Sequence, residues 1–306
     1  MEELFVEKIL VAVDFSDHSN VALEQALHVA SQRPGSKLVL LWVEDEHPHR
    51  ESGEIELHST STQDLHPAFE DPQQSARVKL EILADRAKSH GLAVDVQIRH
   101  GYADEVIVEV GREVGASLII VGTRGLTGFK RFLLGSVAEK VVRMSSTNVL
   151  VARGEARAFS HVLVATDFSA ASEHALQLAL ALSKPDAQID VLHAWQYPPG
   201  MRGTPDPKQE GLLSDIGRDV VRRVQKLGDA LTQRYAATSR TLEFTNVFGP
   251  AAAVIHERLE SNMYDLVAMG THGHRGFRRF LLGSVAEATV RHAPCSVLVT
   301  HGPSEA

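Results

Sequence analysis

Cysteine occurs once in 306 residues, at Cys295. No intrachain disulfide can form, which fits a reducing compartment. No apolar run reaches the ~18 residues that a membrane-spanning helix needs. Met1 to Glu7 is acidic and lacks a cationic stretch leading into an apolar one, so no secretory signal is visible. Basic charge is in deficit, with 31 Lys and Arg against 39 Asp and Glu and a net charge of -8. Nucleic-acid-binding domains carry the opposite balance, so neither nucleic acid nor membrane is an expected partner, and the expected location is the cytoplasm. A free nucleotide stays open, because loop N–H groups and a few local cations suffice to hold it. Two familiar glycine motifs are also missing. The turn after the first strand reads Asp14-Phe-Ser-Asp-His, and its counterpart Asp167-Phe-Ser-Ala-Ala, with no Gly-x-Gly-x-x-Gly. No Gly-Lys-Ser/Thr occurs anywhere, which sets aside a P-loop.

What the chain does contain is a duplication. Gly122-Thr-Arg-Gly-Leu-Thr-Gly-Phe-Lys-Arg-Phe-Leu-Leu-Gly-Ser-Val-Ala-Glu139 returns as Gly270-Thr-His-Gly-His-Arg-Gly-Phe-Arg-Arg-Phe-Leu-Leu-Gly-Ser-Val-Ala-Glu287. Gly270 lies 148 positions after Gly122, and Asp167 lies 153 after Asp14. At roughly 150 residues per domain, the length predicts about two domains. The expected division is 1–154 and 155–306, with a short linker from Gly154 to Phe159.

Each half alternates short apolar runs with longer amphipathic ones. In the first, Ile9 to Val13, Leu38 to Val43, Ala93 to Ile98, Leu118 to Val121 and Asn148 to Val151 read as strands. Helices are expected over Asn20 to Ala30, Val78 to Ala87, Asp104 to Val114 and Val137 to Met144. In the second, the strands are Val162 to Ala165, Ile189 to His193, Leu242 to Val247, Leu266 to Met269 and Val297 to Val299. Its helices fall near Glu173 to Leu182, Leu212 to Tyr235, Ala251 to Glu260 and Val285 to Arg291. The polar stretch from Glu44 to Asp71 reads as an exposed insertion. Nearly all-apolar strands alternating with helices predict α/β architecture, parallel sheets covered on both faces and doubly wound. Ligands of such sheets sit beyond the carboxyl ends of the strands. That is where Asp14 and Asp167 end the first strands and where the glycine loops follow the fourth.

A glycine loop between a strand and a helix N-terminus offers backbone N–H groups to phosphate. Gly122, Gly125 and Gly135, repeated as Gly270, Gly273 and Gly283, would let the backbone approach a polyphosphate closely. Ser136 and Ser284 open Ser-Val-Ala-Glu, which also has the form of a helix capping box closed by Glu139 or Glu287. Both roles are open at this point. Lys130, Arg131, Arg278 and Arg279 lie in the loops, either near phosphate or solvated. Asp14 and Asp167 either meet a ligand or make turn and capping hydrogen bonds.

These residues carry a resemblance. The spacing Gly-x2-Gly-x9-Gly-Ser, present twice, is similar to the signature of the ATP-binding branch of the universal stress protein family. The openings Ile9-Leu-Val-Ala-Val-Asp-Phe-Ser and Val162-Leu-Val-Ala-Thr-Asp-Phe-Ser resemble the family's first strand. The likeness covers almost the whole chain, as two fused domains. It implies two five-stranded parallel sheets of order 3-2-1-4-5, with last strands that pair across an intrachain pseudo-dimer. It implies ATP, AMP or ADP as ligand, with Asp14 and Asp167 near the nucleoside and backbone at Val43 and Ala194 against adenine. Ribose and phosphates would meet Gly122, Gly125, Gly135, Ser136 and Val137, then Gly270, Gly273, Gly283, Ser284 and Val285. Magnesium or manganese, where it occurs, would accompany the phosphates. The family often places aspartate just before strand four; Asp265 keeps it and Ser117 does not.

The expected role is regulatory: nucleotide binding in a stress response, with a protein partner that the sequence does not name. Whether two tandem chains associate further is open. Two other readings share the pocket. One is a weak ATPase, which would work through metal and positioning, since no catalytic set is evident. The other is a nucleotide-free scaffold for a protein, a metal or a hydrophobic ligand. His47, His49, His58 and His66 dot the insertion as solvated residues or metal ligands. His272 and His274, inside the second glycine loop, lie at the surface, sense pH or meet phosphate. Cys295 precedes an apolar strand and reads as a buried small hydrophobe.

Overall fold

A computed structural model describes residues 6–33, 35–46, 71–123, 134–196, 207–236, 238, 240–261, 263–271 and 282–301, with side chains omitted over 207–217. In the first half the order is β1 (Lys8–Ala12), α1 (Asp17–Ser31), β2 (Lys37–Asp45), α2 (Pro72–Ser89), β3 (Ala93–Gly101), α3 (Ala103–Glu113), β4 (Leu118–Gly122), α4 (Ser136–Met144) and β5 (Asn148–Ala152). The second half repeats it as β6 (Phe159–Ala165), α5 (Ala170–Leu182), β7 (Ser183–Trp195), α6 (Pro207–Arg234), β8 (Thr241–Phe248), α7 (Ala251–Glu260), β9 (Leu266–Gly270), α8 (Ser284–His292) and β10 (Ser296–Thr300).

Several helices start earlier than periodicity indicates, because polar caps precede the apolar stripe. Ser16 Oγ accepts from Ser19 N at 3.2 Å and opens α1 at Asp17. Ser169 does the same for α5. Asp71 Oδ1 accepts from Gln73 N at 3.0 Å, and Pro72 takes the first helical position of α2. Proline is favoured there because its missing N–H would have had no partner anyway. β7 begins six residues before the expected Ile189. A register shift between Phe159 and His161 absorbs the extra residues opposite Ser183 to Gln188.

The strands run β3-β2-β1-β4-β5-β10-β9-β6-β7-β8 in one ten-stranded sheet. The two sheets expected from the sequence are therefore joined edge to edge. All pairings are parallel except β5 with β10, where Val149, Leu150 and Val151 oppose Val299, Leu298 and Val297. Both last strands are buried, and each covers the edge the other would expose.

Successive strand residues point to opposite faces, so each strand feeds two cores. Ile9, Val11, Leu38, Leu40, Leu118 and Ile120 pack with Ala22, Leu23 and Ala26 of α1 and Leu80 of α2. Leu10, Val39, Leu41, Ile119 and Val121 pack on the other face with Ile107 and Val110 of α3 and Val141 and Val142 of α4. Each core runs on into the second half without interruption. Polar contacts also cross the junction. The buried Gln25 side chain brackets the linker, donating to Arg157 O at 2.9 Å and accepting from Arg157 N at 3.1 Å. Arg153 donates to the carbonyl of Val290 in α8, at 3.2 Å, and to that of Ala293, the C-cap of α8.

Candidate functional site

In each half the strand order reverses between the first and fourth strands, β1 and β4 or β6 and β9. Helices leave a neighbouring pair of strands there toward opposite faces, which opens a crevice at the carboxyl ends. Asp14 lies two residues past β1. Its Oδ1 accepts from Ser16 N at 3.0 Å and Ser16 Oγ at 2.6 Å. Asp167 makes the same pair with Ser169, at 3.1 and 2.6 Å. The turn-forming role open in the sequence is thus realised in both halves, and it fixes each carboxylate at the crevice.

The residue inside each turn is an aromatic in the left-handed region: Phe15 has φ 64° and Phe168 φ 63°. Residues with a Cβ seldom adopt this conformation, and when they do the strain often marks a functional site. The Phe15 ring stacks on Trp42, with centroids 6.5 Å apart, and Lys79 Nζ stands 5.2 Å from its centre. Phe168 lies 5.0 Å from His193, whose Nδ1 meets Thr166 O at 2.8 Å. Sequence reasoning passed over these aromatics. The identical Asp-Phe-Ser triplets were the available signal.

Val43 and Ala194 occupy matching positions on β2 and β7. Register between β1 and β2 ends at Ala12 opposite Leu41, and one more bond runs from Val13 N to Leu41 O at 2.8 Å. β2 continues to Asp45 paired only with β3, where Val43 stands opposite Arg99. In the second half the last rung is Thr166 N to Leu192 O at 2.9 Å, and Ala194 lies opposite Val247 of β8. Each strand so overhangs its inner neighbour and presents one main-chain edge to the crevice.

Gly122 ends β4 and Gly270 ends β9. A Cβ at Gly122 would stand 2.6 Å from His18 O, in the first turn of α1. At Gly270 it would stand 2.8 Å from Ala171 Cβ, in α5. Both glycines therefore have a packing reason, independent of any ligand. Gly135 N donates to Thr123 O at 2.6 Å, and Gly283 N to Thr271 O at 2.8 Å. These bonds tie the two ends of each glycine loop together at the strand terminus. Gly125 and Gly273, the other two members of the signature, lie outside the described residues. So do Lys130, Arg131, Arg278, Arg279, His272, His274 and the histidines of the insertion.

The capping-box reading is corrected. Gly135 and Gly283 are the N-caps of α4 and α8; Ser136 and Ser284 are the first helical residues, and among the described residues no side chain caps either helix. Gly135 N is held to the strand end with ψ 150°, so the turn into the helix falls at the glycine and not at the serine. Glu139 N and Glu287 N bond back to Gly135 O and Gly283 O, at 3.0 and 2.8 Å. The first N–H groups, at Ser136 and Val137 or Ser284 and Val285, point along the axis with the positive end of the helix dipole. Ser136 and Ser284 are exposed and Val137 and Val285 half-buried, so this terminus faces solvent.

Asp265 and Ser117 lie away from the crevice, at the amino ends of the fourth strands. Asp265 accepts from Ser160 N at 2.8 Å and Ser160 Oγ at 2.9 Å; Ser117 Oγ donates to Lys8 O at 3.0 Å. Each latches a fourth strand to a first strand, so the exchange of Asp for Ser does not reach the crevice. Cys295 is 6% exposed, and burial pushes its thiol up to about 12.

The family model for the universal stress protein family matches residues 6–153 and again 158–301. The chain belongs to this family. Its two universal stress protein repeats account for the duplicated crevices. "Universal stress protein YxiE" of Bacillus subtilis is 32% identical over 151 residues, 48% of this chain and 98% of that protein. A universal stress protein of Mycolicibacterium smegmatis is 26% identical over 236 residues, 74% of each chain. A crystal structure of a universal stress protein from Archaeoglobus fulgidus shares the fold end to end. Its TM-score is 0.68 at 20% identity, over 98% of both chains. Among the described residues no helix is long and apolar enough to cross a membrane.

Proposed function

We propose that the chain is a stress-response regulator that binds an adenine nucleotide, ATP or its AMP or ADP products, in the crevice of each repeat, within 1–154 and 155–306. The observation that carries this reading is the doubled arrangement at the switch point. There, an overhanging strand edge, a turn-held carboxylate and a glycine-capped helix N-terminus converge. Adenine lies against the backbone of Val43 or Ala194, and Asp14 or Asp167 stands by the nucleoside. The phosphates meet the loops of Gly122, Gly125 and Gly135, and Gly270, Gly273 and Gly283. They end on the N–H groups of Ser136, Val137, Ser284 and Val285. A phosphate there replaces water on several orphan donors and gains from the dipole. Magnesium or manganese would arrive with the phosphates; among the described residues no three His, Cys, Asp or Glu are grouped to hold one. Nucleotide-ordered loops would then alter the surface offered to a protein partner.

The packing of Gly122 against α1 makes glycine substitutions poor tests of binding. Proline at the first helical position is better. It removes one N–H and one hydroxyl while suiting the helix, and the extended ψ of 150° at Gly135 and 147° at Gly283 suits a following proline. Calorimetric titration with ATP should show saturable binding below millimolar concentration. Ser136→Pro with Ser284→Pro should weaken it about tenfold or more at unchanged melting temperature, since a bond to a charged group contributes ~1.5–3 kcal/mol. Absence of saturable binding in the wild type, or equal affinity in the double variant, refutes the reading.

A further inference from the structure

The helices that carry the two proposed phosphate termini are wired to each other by charge. Glu139, in the first turn of α4, receives Arg143 Nη2 from its own helix at 3.0 Å. On the same oxygen it receives Arg291 Nη2 from the last turn of α8 at 3.1 Å. Glu287, its counterpart, receives Arg291 at 3.2 Å and lies 3.9 Å from Arg143. Two acids and two bases thus form a square across the junction between the repeats.

The acids stand in an awkward place for an anion site. Glu139 is one helical turn, ~5 Å along the axis, from the start of α4. A bare carboxylate there would repel an incoming phosphate and offset the helix dipole. Arg143 alone shares its charge between Glu139 and Glu287, so full neutralisation needs Arg291.

We propose that Arg291, a residue of the second repeat, is a positioning residue for the first repeat's phosphate site: it holds and neutralises Glu139 beneath the α4 terminus. This rests on the nucleotide reading above. It makes the first crevice incomplete without the second repeat, although α4 supplies its N–H groups alone.

The test uses the full chain with Ser284→Pro, which weakens the second crevice about tenfold and leaves the first as the tighter site, and ATP as the probe. In that background Arg291→Gln should weaken ATP binding about two- to fivefold at low salt. The loss should shrink at about 0.5 M salt, where the screening length is a few ångströms. Adding Glu139→Gln should restore the affinity, because the uncompensated charge is then gone. A merely structural Arg291 would shift the melting temperature and gain no rescue from Glu139→Gln. Unchanged affinity in Arg291→Gln, or failure of the second substitution to rescue it, overturns the proposal. If the Ser284→Pro parent binds no ATP, the nucleotide reading of the first crevice falls, and this inference with it. That outcome appears before Arg291 is touched, so the two failures are told apart.

Discussion

Replacing Gly122 with alanine places one methyl carbon where the fold leaves no room. That carbon would stand 2.6 Å from His18 O, 2.7 Å from His18 C and 3.1 Å from His18 Cβ. Carbon atoms rest at ~3.5–4.0 Å, so the overlap with the carbonyl carbon is about 1 Å. The obstacle is backbone at the start of α1, which is pinned by Ser16 and by its own packing on β4, and it cannot swing aside as a side-chain tip would. Overpacking of this kind costs about 1–3 kcal/mol. Alanine returns ~0.4–1 kcal/mol by restricting the unfolded chain. The net expectation is a loss of about 1–2 kcal/mol. For a cooperative unit of this size that lowers the melting temperature by roughly 3–6 °C. A urea titration of the ligand-free protein should show the midpoint fall at constant slope. Gly270→Ala, with its nearest contact at 2.8 Å on the Ala171 methyl, should shift in the same direction and by no more. If Gly122→Ala matches the wild type in midpoint and melting temperature, the close packing of α1 on β4 is not what requires glycine here.

Three further outcomes follow from groups away from the crevice. Cys295, buried and with its thiol pushed up to about 12, should resist a disulfide reagent in native protein and react as fast as a free thiol in concentrated urea. Burial lowers the pKa of His174 below its ordinary 6.5, so the unfolded chain binds the proton more readily. Stability should therefore fall as pH drops below about 6.5, and the fall should be shallower in His174→Gln when urea midpoints are compared from pH 7.5 to 5. Arg153→Met removes the donor to the carbonyls of Val290 and Ala293 at the end of α8, and should cost ~1–3 kcal/mol in chemical unfolding.

The layered α/β plan was legible because apolar runs of strand length alternate with helical periods, and because the halves repeat. Helix starts were less so. Ser16, Asp71 and Ser169 are polar caps that precede any apolar period, so periodicity alone enters each helix late. Ser136 and Ser284 also put the helix start one residue late, by looking like caps. The Ser-x-x-Glu pattern is local, whereas the hydrogen bond that moves the cap to Gly135 is donated by Gly135 N to the Thr123 carbonyl, across the loop. Gly122 shows the same limit. Its sequence neighbours suggest a loop opened for a ligand, and only the tertiary fold brings His18 within contact distance. The left-handed Phe15 and Phe168 left no mark in composition, because the Asx turns that stabilise them are built from residues common in any loop. The overhang of β2 past β1 depends on the relative lengths of two strands, which apolar runs fix only to within a residue or two.

The antiparallel pairing of β5 with β10 sets the outward geometry of the molecule. It turns the second repeat head to foot against the first about an axis normal to the sheet, so their crevices open at opposite rims of one slab. Any regulator perched on a single rim would report on a single occupant. A partner that responded to both would have to reach around the slab, or be met twice.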